Sequence, residues 1–388
     1  MSRITVSPVQ AADVPQLAHL QRLAFEPSAL NRQIFGGVAP ADMEAHSAAR
    51  LVKALDDPTK AVIKATLADE GASGEGDLVG FGFWDLGRPV DAPEEENKEP
   101  EKRQWPPGTN VELAEEYFAR MGKGPEGRHY HLMILIVDPT RQRTGAGSAL
   151  LRWGCRKADE EGVAIDLKAT DVGIPLYLRF GFSAYADPVV GGVNNEISLL
   201  PMSRPALTLS PLLRSDIPQL PIIYQRSFAP TRVNQYCFPR VTLEGYTPWL
   251  EARWNKALDE KEEGGRGDVW VAKRGETVVG YASWSYAAEK RTGAGEGEGE
   301  KTERTFPEGA DLDRVRPFMQ RFDALKASIP YAHYSLDNLA ILPEEQGTGI
   351  GKLLAKILLD KADAEHLKVT LESTEGAPNP IRSFTSLL

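Results

Sequence analysis

Gln142-Arg143-Thr144-Gly145-Ala146-Gly147-Ser148 sets a side-chain amide ahead of two glycines one residue apart, directly before the leucine-rich run Ala149-Leu150-Leu151. Glycine lets a chain turn sharply and lets a ligand come close to the backbone. The opening amides of a helix have no partner inside it, and the helix dipole adds partial positive charge there. The chemistry this invites is the holding of a phosphate. About 204 positions later the same grammar returns in Gln346-Gly347-Thr348-Gly349-Ile350-Gly351, again before leucines, Lys352-Leu353-Leu354. One Gly-x-Gly turn says little; two in register announce a repeat.

Spacing narrows the kind of loop. A dinucleotide fingerprint has a third glycine three residues after the second, where Leu150 and Leu354 stand. A phosphate loop of the Walker type needs Gly-Lys followed by Ser or Thr, and Lys352 is followed by Leu353. At these residues the chain resembles the GNAT acetyltransferase superfamily, whose acetyl-CoA loop reads (Gln/Arg)-x-x-Gly-x-(Gly/Ala) after the fourth strand. Leu176-Tyr177-Leu178-Arg179-Phe180-Gly181-Phe182 is similar to a second family element, (Leu/Ala)-Tyr-x-x-x-Gly-Phe.

The resemblance implies acetyl-CoA as cosubstrate, without a metal, in a tandem arrangement of fungal type. Its diphosphate would lie on the backbone of Gln142, Arg143, Thr144, Gly145, Ala146, Gly147 and Ser148. The pantetheine arm would run along Ile136 and Val137, in a gap between splayed fourth and fifth strands. In the second copy Ala340, Ile341, Gln346, Gly347, Thr348, Gly349, Ile350 and Gly351 would serve likewise. Tyr177 matches the family tyrosine that protonates the departing thiolate.

Acyl transfer to an amine also needs the amine deprotonated, and histidine titrates nearest neutrality. His131, on the apolar run His131-Leu132-Met133-Ile134-Leu135-Ile136-Val137, is the candidate base; an ordered water beside a structural His131 is the alternative, and His129 is a weaker contender. Strand alternation predicts His131, Met133, Leu135 and Val137 on one face. In the second copy Asp337 stands at the place of Met133 and is the candidate there.

These residues need elements to carry them. Ile4-Thr5-Val6-Ser7-Pro8 predicts a strand, and Asp13 followed by Pro15 predicts a capped helix to about residue 25. Leu207-Thr208-Leu209-Ser210-Pro211, Asp216 and Pro218 repeat this almost letter for letter. Helices are expected over residues 41–55 and 246–258, with hairpins over 61–65 and 78–84 and over 269–272 and 278–284. Polar insertions at 91–100 and 293–300 precede helical patterns at 111–121 and 312–325. The expected fold is α/β, with two tandem GNAT-like domains over residues 1–204 and 205–388. Each would be a mixed, mostly antiparallel sheet flanked by helices, the second incomplete because residues 372–388 have no Tyr and no Gly-Phe.

Composition bounds the partners. At 388 residues the chain is long for one core and sufficient for two. Its formal charge of −10 argues against a nucleic-acid partner, which needs a basic footprint. The apolar runs fall short of the roughly 20 residues of a membrane span, so no membrane partner is expected. With two cysteines, Cys155 and Cys237, a reducing, cytoplasmic setting is the default. The expected acceptor is a small-molecule or peptide amine.

Overall fold

The structure is a computed structural model describing residues 3–68, 76–87, 103–121, 124–289 and 304–371. The expectations for residues 91–100, 293–300 and 372–388 lie outside the described residues. The chain divides into two compact units, Met1–Ala206 and Leu207–Leu388.

In the first unit β1 (Arg3–Pro8) leads into α1 (Val14–Phe25), α2 (Ala29–Ile34) and α3 (Pro40–Leu55). The hairpin β2 (Lys60–Ala68) and β3 (Asp77–Asp85) follows, then α4 (Val111–Arg120), β4 (His129–Val137), α5 (Ala146–Glu161), β5 (Ala164–Ala169) and α6 (Ile174–Leu178). Short strands β6 (Ser183–Ala184) and β7 (Val189–Gly191) precede the closing strand β8 (Ile197–Arg204). The sheet order is β1-β2-β3-β4-β5-β8-β6, with β7 beside β8. All pairs are antiparallel except β4 with β5. Asp13 stands at the N-cap position of α1 as expected, but its carboxylate accepts from the Gln10 amide at 2.7 Å and from Lys64 at 2.8 Å, because a turn of 3-10 helix over Ala11–Asp13 comes first. Short α2, with Ser28 as its cap, is an element that apolar periodicity over six residues is too short to announce.

Each face of the sheet buries its own core, as period-2 strands require. Leu150, Leu151, Cys155 and Ala158 of α5 meet Ile63, Ala65, Tyr130, Leu132, Ile165 and Leu167 on one face. Leu17, Leu20 and Leu51 of α1 and α3 meet Val62, Phe81, Phe83 and Ile136 on the other. Each such fully buried aliphatic side chain contributes roughly 1.5–3 kcal/mol.

The second unit runs β9 (Leu207–Pro211), α7 (Leu220–Phe228), α8 (Arg232–Cys237), α9 (Leu243–Glu262), β10 (Asp268–Arg274), β11 (Thr277–Ala287), α10 (Leu312–Ala327), β12 (His333–Ile341), α11 (Ile350–Ala364) and β13 (Lys368–Leu371). Its sheet order is β13-β12-β11-β10-β9, with β12 and β13 the parallel pair. This reproduces the path from β1 to β5 in the first unit, so the repeat in the lettering is a repeat in topology.

In each unit a glutamate at the end of the helix that follows the cradle gathers several donors. In the first, Glu161 at the end of α5 accepts from Lys157 at 2.8 Å and from Arg128 at 2.6 Å. In the second, Glu365 just after α11 accepts from Tyr334 at 2.8 Å, pairs with Lys361 at 3.0 Å and bonds Arg266. Burial works against the Glu161 anion, but these donors outweigh it and hold its carboxyl down to about 2. Lys361 and Tyr334 hold Glu365 to about 2 as well. Carboxyls depressed below their ordinary 4.5 contribute stability that is complete above that value and is lost as pH falls toward 2. Calorimetric melting between pH 5 and pH 2 is therefore expected to show a smaller drop for the Glu161→Gln/Glu365→Gln double variant than for wild type; equal drops would refute the assignment.

Candidate functional site

The Gln142 loop folds as its glycines require. Gly145, the N-cap of α5, has φ +94°, and Arg143 sits at φ +66°, a left-handed conformation rare for a residue with a side chain. In the second unit Gly349 has φ +108° and Gly347, at the place of Arg143, has φ +77°. Left-handed residues alternating with ordinary ones turn successive amides inward into an anion-binding concavity. Among the described residues, the amides of residues 142–148 donate to no protein acceptor, and neither do those of residues 347–351. Ala149 is the first to donate back, to Gly145 at 3.0 Å; in the second unit Lys352 does so, to Gly349 at 2.9 Å. These cradles fit a diphosphate.

Beside the first cradle the sheet opens. β4 and β5 pair only from His129 with Ala164 to Leu132 with Leu167. At that point β4 carries a bulge against β3: Phe83 faces Ile134 and Trp84 faces Leu132, leaving Met133 as the extra residue. A bulge bends its strand and sharpens the twist, so β4 leaves β5 there, and among the described residues Ile136 and Val137 have no partner on the β5 side. Leu176 of α6 and Val137 lie against Gly147, at 3.5 and 3.6 Å from where its Cβ would stand. This places α6 at the cradle.

The bulge corrects one expectation. Tyr130 and Leu132 join the core under α5, and so do Leu135 and Val137, while Ile134 and Ile136 join the core under α1 and α3. The alternation therefore switches phase at Met133. His131 shares a face with Ile134 and Ile136, opposite Leu135 and Val137.

On that face His131 meets a residue that the sequence reading did not single out. Its Nδ1 lies 2.8 Å from Oδ1 of Asp166, which parallel pairing sets beside it on β5. His131 is 34% exposed at its side chain and Asp166 fully buried. Lys168 Nζ stands 3.5 Å from the other carboxylate oxygen and donates to the Tyr185 hydroxyl at 2.7 Å. His129 Nε2 is 3.4 Å from Oδ1, and its Nδ1 donates to the Gly127 carbonyl at 2.8 Å. Burial alone would raise the Asp166 carboxyl, but the His131 hydrogen bond and the charges of His131, Lys168 and His129 hold it below its ordinary value. A strand Ile-Asp-Leu with Asp between core residues was the available signal, since an acid in that position needs a partner.

Tyr177 lies on the opposite, α5 side, 8% exposed and edge-on to Phe182 at 5.8 Å. Its hydroxyl has no hydrogen-bond partner among the described residues, and burial pushes the phenol up to about 12. Base candidate and acid candidate thus stand on opposite faces of the sheet at its opening.

The second unit keeps the bulge but not the dyad. Ser283 faces Asn338 and Trp284 faces Leu336, so Asp337 is the extra residue, and Lys326 of α10 holds it at 2.7 Å. The rung equivalent to His131 and Asp166 is Ser335 with Thr370. Asp337 is thus no counterpart of His131.

No helix among the described residues is long and apolar enough to cross a membrane, and no cluster of three or more His, Cys, Asp or Glu there is placed to hold a metal. The chain is 30% identical over 187 residues to an acetyltransferase of Stachybotrys chartarum, a match spanning 46% of this chain and 79% of that protein. Among solved structures it is similar to one from Corynebacterium glutamicum described as histone acetyltransferase HPA2 and related acetyltransferase, at 23% identity and a TM-score of 0.35, covering 53% of this chain and 97% of that one. It is also similar to the PaiA N-acetyltransferase of Thermoplasma acidophilum in complex with coenzyme A, at 13% identity and a TM-score of 0.31, covering 52% and 98%. Residues 67–182 and residues 235–382 each match the acetyltransferase (GNAT) family, and together they make up more than half of the sequence: the chain belongs to that family.

Proposed function

We propose that residues 1–204 form a catalytic domain that transfers the acetyl group of acetyl-CoA to the amine of a small molecule or peptide, in a cytoplasmic setting. The unsatisfied amides of residues 142–148 beside an open sheet carry this reading. Bound acetyl-CoA supplies a thioester whose carbonyl the amine attacks. Backbone amides of residues 142–148 hold the diphosphate, and that of Val137, which points away from β3, guides the pantetheine arm. His131 takes the proton of the attacking amine from one face of the sheet. From the other, Tyr177, protonated near neutral pH because burial lifts its phenol to about 12, donates a hydrogen bond to the departing sulfur. With the phenol at about 12 and a thiol near 8.5, full proton transfer to sulfur is uphill. Tyr177 therefore stabilises the thiolate more than it protonates it.

Residues 205–388 are proposed as a domain that binds the cofactor through Ala340, Ile341 and residues 346–351 without transferring from it. Ser335 and Thr370 in place of the dyad favour this. A wholly non-catalytic, acyl-CoA-binding protein is the alternative.

Glutamate at position 145 or 349 would force a side chain into a left-handed backbone and set a carboxylate against the diphosphate. The strain alone costs about 1–2 kcal/mol. Calorimetry is expected to find two acetyl-CoA sites per wild-type chain and one in either Gly145→Glu or Gly349→Glu. Thiol release over a panel of amines should vanish in Gly145→Glu and persist in Gly349→Glu. Binding without turnover for any amine would leave the alternative; neither binding nor turnover would overturn both readings.

A further inference from the structure

We propose that Asp166 is a positioning residue that fixes the tautomer and orientation of His131, so that the Nε2 lone pair is the one presented to the amine. The inference rests on the reading of His131 as base.

The argument begins with donor and acceptor capacity. An ionised carboxylate only accepts hydrogen bonds, so at 2.8 Å from Asp166 Oδ1 the His131 Nδ1 carries the proton. In the neutral ring Nε2 then holds the lone pair, on the edge of the imidazole away from Asp166. Among the described residues Nε2 has no protein partner.

The surroundings keep Asp166 in that role. Lys168 approaches the other oxygen at 3.5 Å. His129 lies 3.4 Å from Oδ1, but its own Nδ1–H is committed to the Gly127 carbonyl, so when neutral it has no proton to offer the carboxylate. Gly124 closes the site from outside: a Cβ there would stand 2.9 Å from Asp166 Oδ2 and 2.7 Å from His129 Nε2. Asp85 faces His131 across the β3 ladder but is paired with Lys60 at 2.7 Å. Asp166 Oδ2 is buried and accepts no hydrogen bond among the described residues. The carboxylate is thus sealed on every side except the one that holds the imidazole.

The counterpart rung, Ser335 with Thr370, has neither a base nor an acid. The pair is therefore kept or lost as a unit between the two copies, as expected if each member is of use only with the other.

The test is two-bond ¹H–¹⁵N correlation spectroscopy at pH 8 on the full chain with ¹⁵N-labelled histidine, His131 being assigned by its absence in His131→Gln. Wild type is expected to show Nδ1 protonated and Nε2 bare; the reverse tautomer overturns the proposal without need of any variant. In Asp166→Asn, Lys168 can only donate and so claims the amide oxygen, which turns the NH₂ toward Nδ1 and transfers the ring proton to Nε2. The expected readout is that tautomer switch, with kcat lower by about tenfold or more and KM for acetyl-CoA unchanged. A fall in kcat without a switch would mean that Asp166 acts only on the fold and would overturn the proposal. A switch with kcat unaffected in both Asp166→Asn and His131→Gln would overturn the reading of His131 as base while leaving the pairing intact.

Discussion

His131→Gln is expected to lower kcat/KM for amine acetylation by about 10²- to 10⁴-fold while acetyl-CoA binding stays near wild type. The size follows from what general base catalysis contributes when the base is within reach of the proton it removes. The confinement of the effect to turnover follows from geometry. His131 faces the α1 and α3 side of the sheet, whereas the free amides of the cradle begin after β4. Its neighbours on the ladder pair normally from His129 to Leu132, so glutamine, which has no special backbone need, leaves the pairing intact. Steady-state kinetics with acetyl-CoA and amine varied separately, together with calorimetry, would separate the terms. If turnover survives His131→Gln with less than a threefold change, a water or the amine's own equilibrium supplies the neutral nucleophile, and His131 is structural.

The second large effect is on stability. Arg204, at the end of β8, is 1% exposed and forms a two-pronged pair with Asp159 of α5, at 2.7 and 3.1 Å. Its Nε also donates to the Phe180 carbonyl at 2.8 Å, in the turn that follows Tyr177. One guanidinium thus fastens the far end of the helix that opens at the diphosphate cradle and the turn beyond the candidate proton donor. Arg204→Leu would take both of these bonds from the buried Asp159 carboxylate. Breaking a buried pair by removing one partner costs about 3–5 kcal/mol, a large part of a domain's usual total of about 5–15 kcal/mol. Urea denaturation is expected to show a loss of that size in the first unit for Arg204→Leu and for Asp159→Leu. The double variant should lose less than the sum of the two, because each substitution alone already removes the same pair. Strict additivity would mean that the two side chains do not act on one another.

The cradles were legible because they are local. A residue at φ +94°, a helix start and its unpaired amides all lie within seven consecutive positions, and glycine at Gly145 and Gly349 announces the backbone that only glycine adopts easily. The repeat was legible for a related reason: strand, turn and helix recur at a constant offset, and each is set by its own short stretch of apolar period. Short α2 and α8 escaped, since six residues hold too little period.

What only the tertiary structure decided is the face on which His131 stands and what stands beside it. Period-2 reasoning assumes an unbroken strand, and a single extra residue at Met133 reverses it, yet a bulge exists only relative to the partner strand that it fails to match. Asp166 lies 35 residues from His131 in the chain, and parallel pairing, made possible by the α5 crossover, sets the two opposite one another. Local stretches carry the information for turns, helix starts and loops because the forces that fix them act over a few residues. Register and side-chain pairing arise between segments that meet only when the chain has folded, so the pairing of His131 with Asp166 had to wait for the sheet.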